Sequence, residues 1–410
     1  MKKIMILGAN TLQLPLINAA SELGYQTVVV SPVPTETGHA IADFSEFIDI
    51  KDEDEILLAA KRHNICGITT DQTDIAVRSV AYVAEKLGLP GIEYKTACLF
   101  TDKYLMREKC KELGIPTLNY KIVRTLADAL SALEELGGKA ILKPIDNQSS
   151  KGVFLIDSLQ KLKEKFAETM SYSKQKAALV EQVAYGREFV AEGIAFNGIF
   201  ENLTVGDTYY FDIPDVFSAT KRIFPTCASV GLRKKIEDFN RKIIQGFGLQ
   251  QGITHSEYVV DINENIFLIE TAARGGGVYI SSDLIPLCTG LETEKFLINI
   301  ATGNQTCMPT FGKDLKTCCY LAFFLPVGTV ASTMGIPEVT SLPFVHHNNL
   351  TNIHIGMQTH EPKDKTYRYF LTIEATDKQQ LDTRIRQIKL LLDNIKVQCS
   401  DGNIQSPIWS

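Results

Sequence analysis

Glu257 and Glu270 belong to a stretch, residues 255–277, that reads His-Ser-Glu-Tyr-Val-Val-Asp-Ile-Asn-Glu-Asn-Ile-Phe-Leu-Ile-Glu-Thr-Ala-Ala-Arg-Gly-Gly-Gly. Two apolar, β-rich runs flank a polar Asn263-Glu264 tip, the pattern of a β-hairpin. If Asp261 faces Ile266, residue numbers across the hairpin sum to a constant and Glu257 falls opposite Glu270. Period-2 alternation then puts both carboxylates on one face, with Val259 and Leu268 between them and the tip. Directly opposed residues have Cβ atoms roughly 4.5–5.5 Å apart, so two carboxylates there repel. A hard divalent cation between them removes the repulsion, and Mg²⁺ is held by one or two carboxylates plus substrate phosphates. A surface hairpin with solvated glutamates in another register satisfies the same pattern. Arg274 follows the second strand, and Gly275, Gly276 and Gly277 let the backbone approach a ligand closely, as a plain loop would also allow.

A second group of residues shares one need, the neutralisation of a polyanion. Lys143 ends the apolar run 140–142, where a desolvated ammonium makes a fixed point charge for phosphate oxygens. The loop 146–152 carries Ser149, Ser150, Lys151 and Gly152, whose N–H groups and hydroxyls can cradle phosphate. It has no apolar anchor, which predicts mobility without ligand. Glu181 and Glu188, each beside an apolar strand, can accept from a sugar or purine. Taken singly, a solvated strand end or an ordinary loop explains each of these residues.

The elements that must position them alternate along the chain. Residues 2–95 run strand, helix, strand, helix, which reads as an open parallel α/β sheet. The first turn, Gly8-Ala9-Asn10-Thr11, lacks the GxGxxG fingerprint of a dinucleotide site. A helix carrying Asp102-Lys103 follows, then strands and helices to Gly303-Asn304, and from about 306 the texture changes to strands, turns and a final long helix. The reading is three units. Residues 1–95 form an α/β domain and 96–305 a central domain, with parts at about 116–180 and 181–305. Residues 306–410 form a separate α+β module.

Composition narrows the class. With 45% hydrophobic and 22% charged residues, the 410-residue chain reads as an ordinary globular protein of several cores. A net charge of −6 argues against a nucleic-acid partner. Nine scattered cysteines without a CxxC pair suit a reducing cytoplasm. No apolar run reaches membrane-spanning length.

The ordered set of Asp102-Lys103, Lys143-Pro144, Glu181-Gln182-Val183, Gly186-Arg187-Glu188, and Glu257 with Glu270 and Arg274 resembles the ATP-grasp enzymes over roughly residues 1–305. The resemblance implies that Lys103 and Lys143 touch ATP phosphates and that the 146–152 loop closes over them. It implies adenine held by the backbone of Glu181, Gln182 and Val183, and ribose hydroxyls held by Glu188. Glu257 and Glu270 would bind one or two Mg²⁺ ions, with Mn²⁺ as a substitute. Arg274 would face the substrate carboxylate or acyl phosphate. Where many such sites carry asparagine two residues after the second glutamate, this chain has Ala272. That alanine-bearing form is similar to the L-amino acid ligase branch. His255, opposite Ala272 in the same register, is assigned a substrate or structural role with Gly275 and Gly276, because imidazole is a poor Mg²⁺ ligand.

The expected protein is an ATP-dependent carboxylate–amine ligase acting through an acyl phosphate on small-molecule carboxylate and amine substrates. It would be cytoplasmic, a homodimer being left open. Arg274, Lys143 and Glu270 would carry the chemistry. Two alternatives remain: a bicarbonate- or formate-using relative, and a nucleotide-binding regulator without turnover.

Overall fold

The computed structural model describes residues 1–147, 150–363 and 365–410. The first unit is a four-stranded parallel sheet in the order Phe44–Glu46, Gln26–Val30, Lys3–Leu7, Gly67–Thr69. The run Ile4 to Leu7 is fully buried, as a parallel strand covered on both faces requires. Ile4 and Ile6 pack towards the helix Leu14–Glu22, while Met5 and Leu7 pack towards Glu53–His63 and Val77–Leu87. The helix Thr293–Ala301 joins the Leu14–Glu22 side, sharing a core with Leu16, Ile17 and Ala20. A Cβ at Gly67 would lie 2.6 Å from the Ala301 carbonyl oxygen, so the close approach requires glycine. The end of the expected central domain is thus packed onto the first one.

Next comes a four-stranded antiparallel sheet, in the order Tyr120–Val123, Ala178–Gln182, Ala140–Pro144, Phe154–Ile156. Helices Leu126–Glu135 and Leu159–Ser171 bury one face of it, against Ala140, Leu142, Ala178 and Val180. Alternation therefore turns Ile141, Lys143, Leu179 and Glu181 to the other face. This is how the sequence places a lysine and a glutamate side by side.

The third element is an eight-stranded sheet. Its order is Ile266–Ala272, Gly252–Val260, Arg187–Phe196, Ile199–Tyr210, Ala219–Phe224, Thr317–Phe323, Tyr369–Ala375, Val345–Asn348. The expected boundary at 305/306 does not interrupt it. Ala219–Phe224 would be an unpaired edge, and Thr317–Phe323 covers it with Arg222 opposite Tyr320. The last hundred residues add their own core around the helix Lys378–Leu392 while extending that sheet. No local sequence feature announces such a pairing.

Candidate active site

Near the hairpin tip the pairs are Val260 with Ile266, Val259 with Phe267 and Tyr258 with Leu268. Asp261 does not face Ile266. Its amide donates to the Asn265 carbonyl at 3.0 Å, and its Oδ1 accepts from the Asn263 and Asn265 amides at 2.8 Å. Glu264 closes this longer tip with φ of 60°. Val259 consequently faces Phe267, one residue away from the expected Leu268. An extra residue, Ile269, then bulges from the second strand and restores the pairing Glu257 with Glu270, Ser256 with Thr271, and His255 with Ala272. The expected opposition of the two glutamates is present, and a bulge produces it.

Each glutamate has a cation in place. Arg222 Nη2 lies 2.5 Å from Glu257 Oε1, and Lys103 Nζ lies 2.8 Å from Glu270 Oε1 and 2.7 Å from the Asn147 carbonyl oxygen. Lys103 is aimed by its position at the start of the helix Lys103–Glu112, where Asp102 Oδ1 accepts from the amides of Tyr104 and Leu105. Burial alone would raise the Glu257 carboxyl, but Arg222 and His255 hold it well below the usual carboxylate range. His255 turns both nitrogens to carboxylates: Nδ1 to the fully buried Glu192, and Nε2 to Glu257 Oε1 at 3.4 Å. It holds the glutamate in place and also lines the cavity.

Lys143 is buried against Glu181, and Glu181 also takes the Arg107 Nε at 2.6 Å and Nη2 at 3.3 Å. Burial would raise the Glu181 carboxyl, yet Arg107 and Lys143 outweigh it and hold it at about 2. Its carboxylate is therefore ionised and held between two cations at the wall of the cavity. Arg107 Nη2 also donates to the Ile269 carbonyl at 2.7 Å, so one buried guanidinium joins the Lys143 pair to the bulge beneath Glu270. Sequence reasoning missed Arg107 although a signal existed: it lies four residues after Lys103, on the same helix face.

Around these groups lies a cavity of about 880 Å³. Ile141 and Leu155, paired across neighbouring strands, give it apolar wall beside Gln182, Val183 and Ala184. The Gln182 amide donates to Asn119, so Val183 and Ala184 present the next backbone along the wall. Glu188 lines the same cavity, and burial pushes its carboxyl up to about 7, with Tyr210 opposing and Glu257 adding to the shift. Ser150 and Lys151 line it too. Gly152 is buried, with φ of 74° and room for no Cβ because the Tyr172 ring would lie 2.7 Å away. Thr169 Oγ1 donates to its carbonyl, and Asn147 Nδ2 donates to the Tyr172 carbonyl. The described ends of the loop are thus tied by hydrogen bonds to Thr169 and Tyr172. Ser149 lies outside the described residues.

Arg274 is fixed by Asp74 of the first unit at 2.8 Å and by the Gly275 carbonyl at 2.9 Å. Gly275 and Gly276 are spoken for: their amides donate to Asp71 Oδ1 at 2.9 Å and Glu192 Oε2 at 3.3 Å. A Cβ on either would strike Ser281 or Ile280, and the cavity wall here is Gly277 and Val278. Both glycines are thus closely packed, with their amides turned to buried carboxylates.

Among the described residues no three His, Cys, Asp or Glu side chains form a closed metal site. Two opposed carboxylates already balanced by an ammonium and a guanidinium suit a Mg²⁺ whose other ligands are phosphate oxygens and water. Ala272 adds no ligand, so the fit is to a metal that arrives with its nucleotide. No helix among the described residues is long and apolar enough to cross a membrane.

Residues 137–283 match the ATP-grasp domain family. The chain is 30% identical over 281 residues to an alanine–anticapsin ligase of Bacillus subtilis (strain 168), covering 64% of this chain and 57% of that protein. It is 24% identical over 281 residues to a formate-dependent phosphoribosylglycinamide formyltransferase of Wolinella succinogenes, covering 66% and 70%. The chain spans about three fifths of the length of the alanine–anticapsin ligases it matches. Among solved structures, an L-amino acid ligase from Bacillus licheniformis superposes with a TM-score of 0.79 at 20% identity, covering 95% of this chain and 98% of that one. A phosphoribosylglycinamide synthetase from Anaerococcus prevotii gives 0.74 at 21%, covering 97% and 99%. These structural likenesses establish the fold.

Proposed function

We propose, from a chain whose residues 137–283 are an ATP-grasp domain, that the protein is an ATP-dependent carboxylate–amine ligase. One observation carries the reading: Lys103, Lys143, the opposed Glu257 and Glu270, and Arg274 line a single cavity although they come from separate units of the chain. Val183 and Ala184 would meet the adenine edge, and Glu188, once ionised, the ribose hydroxyls. Lys103, Lys143 and Lys151 neutralise phosphate oxygens, so the protein's part in phosphoryl transfer is charge and position. Glu257 and Glu270 would hold Mg²⁺, which when bound offsets the charge developing on those oxygens. Arg274, held rigid by Asp74, orients the substrate carboxylate. A carboxylate oxygen attacks the γ-phosphorus and ADP departs; an amine then attacks the acyl carbon, phosphate departs, and the amine loses a proton. The loop around Ser150–Gly152 keeps water from the acyl phosphate.

The test is ADP release by the full chain across pairs of amino acids and small carboxylates, with bicarbonate and formate in parallel. Release that needs both a carboxylate and an amine supports the ligase. Release with bicarbonate or formate alone assigns the carboxylase- or formate-type reaction, and nucleotide binding without release under any pair assigns a regulator.

A further inference from the structure

The strand Arg187–Phe196 runs through the eight-stranded sheet, and alternation puts Glu192 on the same face as Val190 and Ile194, both in the buried core. Glu192 is itself fully buried. A carboxylate there is unfavourable unless its contacts compensate, and an apolar residue would pack without that cost. Charge balance alone does not account for it. The two arginines that feel its charge, Arg222 and Arg274, are each paired directly with another carboxylate, Glu257 and Asp74.

Its direct contacts are two. Oε1 meets His255 Nδ1, directly opposite on the neighbouring strand Gly252–Val260. Oε2 accepts from the Gly276 amide at 3.3 Å. His255 lies two residues before Glu257, and its Nε2 stands 3.4 Å from Glu257 Oε1 and 3.4 Å from Arg222 Nη1. Gly276 lies two residues after Arg274. A Cβ at Gly276 would come within 2.8 Å of Glu192 Oε1, so glycine at this position is what admits the carboxylate. One buried side chain thus bonds two points, each two residues from a charged group in the cavity wall.

We propose that Glu192 is a positioning residue: anchored on the Gly276 amide of the turn behind Arg274, it fixes His255 and through it the place of Glu257. That Glu257 holds a metal rests on the function proposed above. Outer partners of metal ligands orient them, and removing such a partner typically costs about 10–100-fold in metal affinity. Glu192→Gln keeps the shape of the side chain and loses its charge. His255 is then held less firmly, and Glu257 gains freedom.

The experiment is Mn²⁺ binding to the full chain loaded with ADP, followed by electron paramagnetic resonance, with ADP affinity measured separately in the absence of metal. Glu192→Gln weakens Mn²⁺ binding about tenfold and leaves metal-free ADP affinity within about twofold of the parent. A loss of structure alone would lower both together. Glu192→Gln combined with His255→Gln weakens Mn²⁺ binding by no more than about twofold beyond the stronger single change, because both cut the same chain of contacts. The proposal is overturned if Glu192→Gln binds Mn²⁺ like the parent, if ADP affinity falls to the same extent, or if the two changes add in full. If Glu192→Gln does not fold, His255→Gln alone must show the same split, and parent-like Mn²⁺ affinity in it overturns the proposal. A parent that binds no Mn²⁺ with ADP removes the metal reading and this inference together. An inactive ligase assay with the Mn²⁺ results intact removes only the proposed reaction.

Discussion

Replacing Arg107 tests whether the site is held together from beneath. The side chain is fully buried and makes three bonds: 2.6 and 3.3 Å to Glu181, and 2.7 Å to the Ile269 carbonyl. Arg107→Met strands most of the Glu181 charge, and breaking a buried pair in this way costs about 3–5 kcal/mol. For a cooperative unit of 150–250 residues that is a fall in Tm of about 6–20 °C. Arg107→Lys keeps the charge but has no fork to span Glu181 and Ile269 together, so its loss is about 1.5–3 kcal/mol. The chemical consequence is separate. Without a donor on the Ile269 carbonyl the bulge relaxes and Glu270 shifts, and a displacement of about 1 Å lowers turnover on the order of 10²-fold. Thermal unfolding and initial rates, with and without Mg-ATP, read the two effects. Arg107→Met with Glu181→Gln should lose less than the sum of the single changes, because the partners are coupled. An Arg107→Lys enzyme with the parent's Tm and the parent's kcat would refute the reasoning.

Three further outcomes are expected. Glu270→Gln should raise the Mg²⁺ needed for half-maximal turnover at least tenfold while nucleotide binding without metal persists, since Lys103 is released; a normal rate at limiting Mg²⁺ contradicts this. Glu188 sits at about 7 when folded and near 4.3 when unfolded, so the folded state keeps a proton that the unfolded chain has lost. Its contribution to stability therefore declines as pH rises through that window, whereas ATP affinity rises between pH 6 and 8 as the carboxylate forms; Glu188→Gln should flatten both slopes, and unchanged slopes refute the assignment. Gly152→Ala forces a side chain at φ of 74° into the Tyr172 ring, so phosphate released per product formed should rise with little change in ATP affinity. A fully coupled variant would remove the loop from the mechanism.

Local patterns were legible and long-range partners were not. Alternation placed Lys143 and Glu181 on strand faces, and the hairpin composition brought Glu257 opposite Glu270. Yet the register was reached by arithmetic that misplaces Val259 by one residue, because neither the longer Asp261–Asn265 tip nor the Ile269 bulge is written in hydropathy. Glu181 read as a free acceptor because its partners lie 74 and 38 residues away, in Arg107 and Lys143. Arg274 read correctly as a cation past a strand, but Asp74, which aims it, lies 200 residues earlier. The continuation of the eight-stranded sheet past 305/306 is hidden for the same reason: strand Thr317–Phe323 is chosen by an unpaired edge far upstream.

The central claim is that a substrate carboxylate is activated by phosphoryl transfer within this cavity. Its most direct measurement uses a carboxylate labelled with ¹⁸O in both oxygens, turned over with ATP and an amine, with the released phosphate analysed by mass spectrometry. The account predicts one ¹⁸O per phosphate, formed only when both carboxylate and amine are present, and little label with Glu270→Gln. Phosphate that carries no ¹⁸O while ADP accumulates would contradict it, because the oxygen would then have come from water.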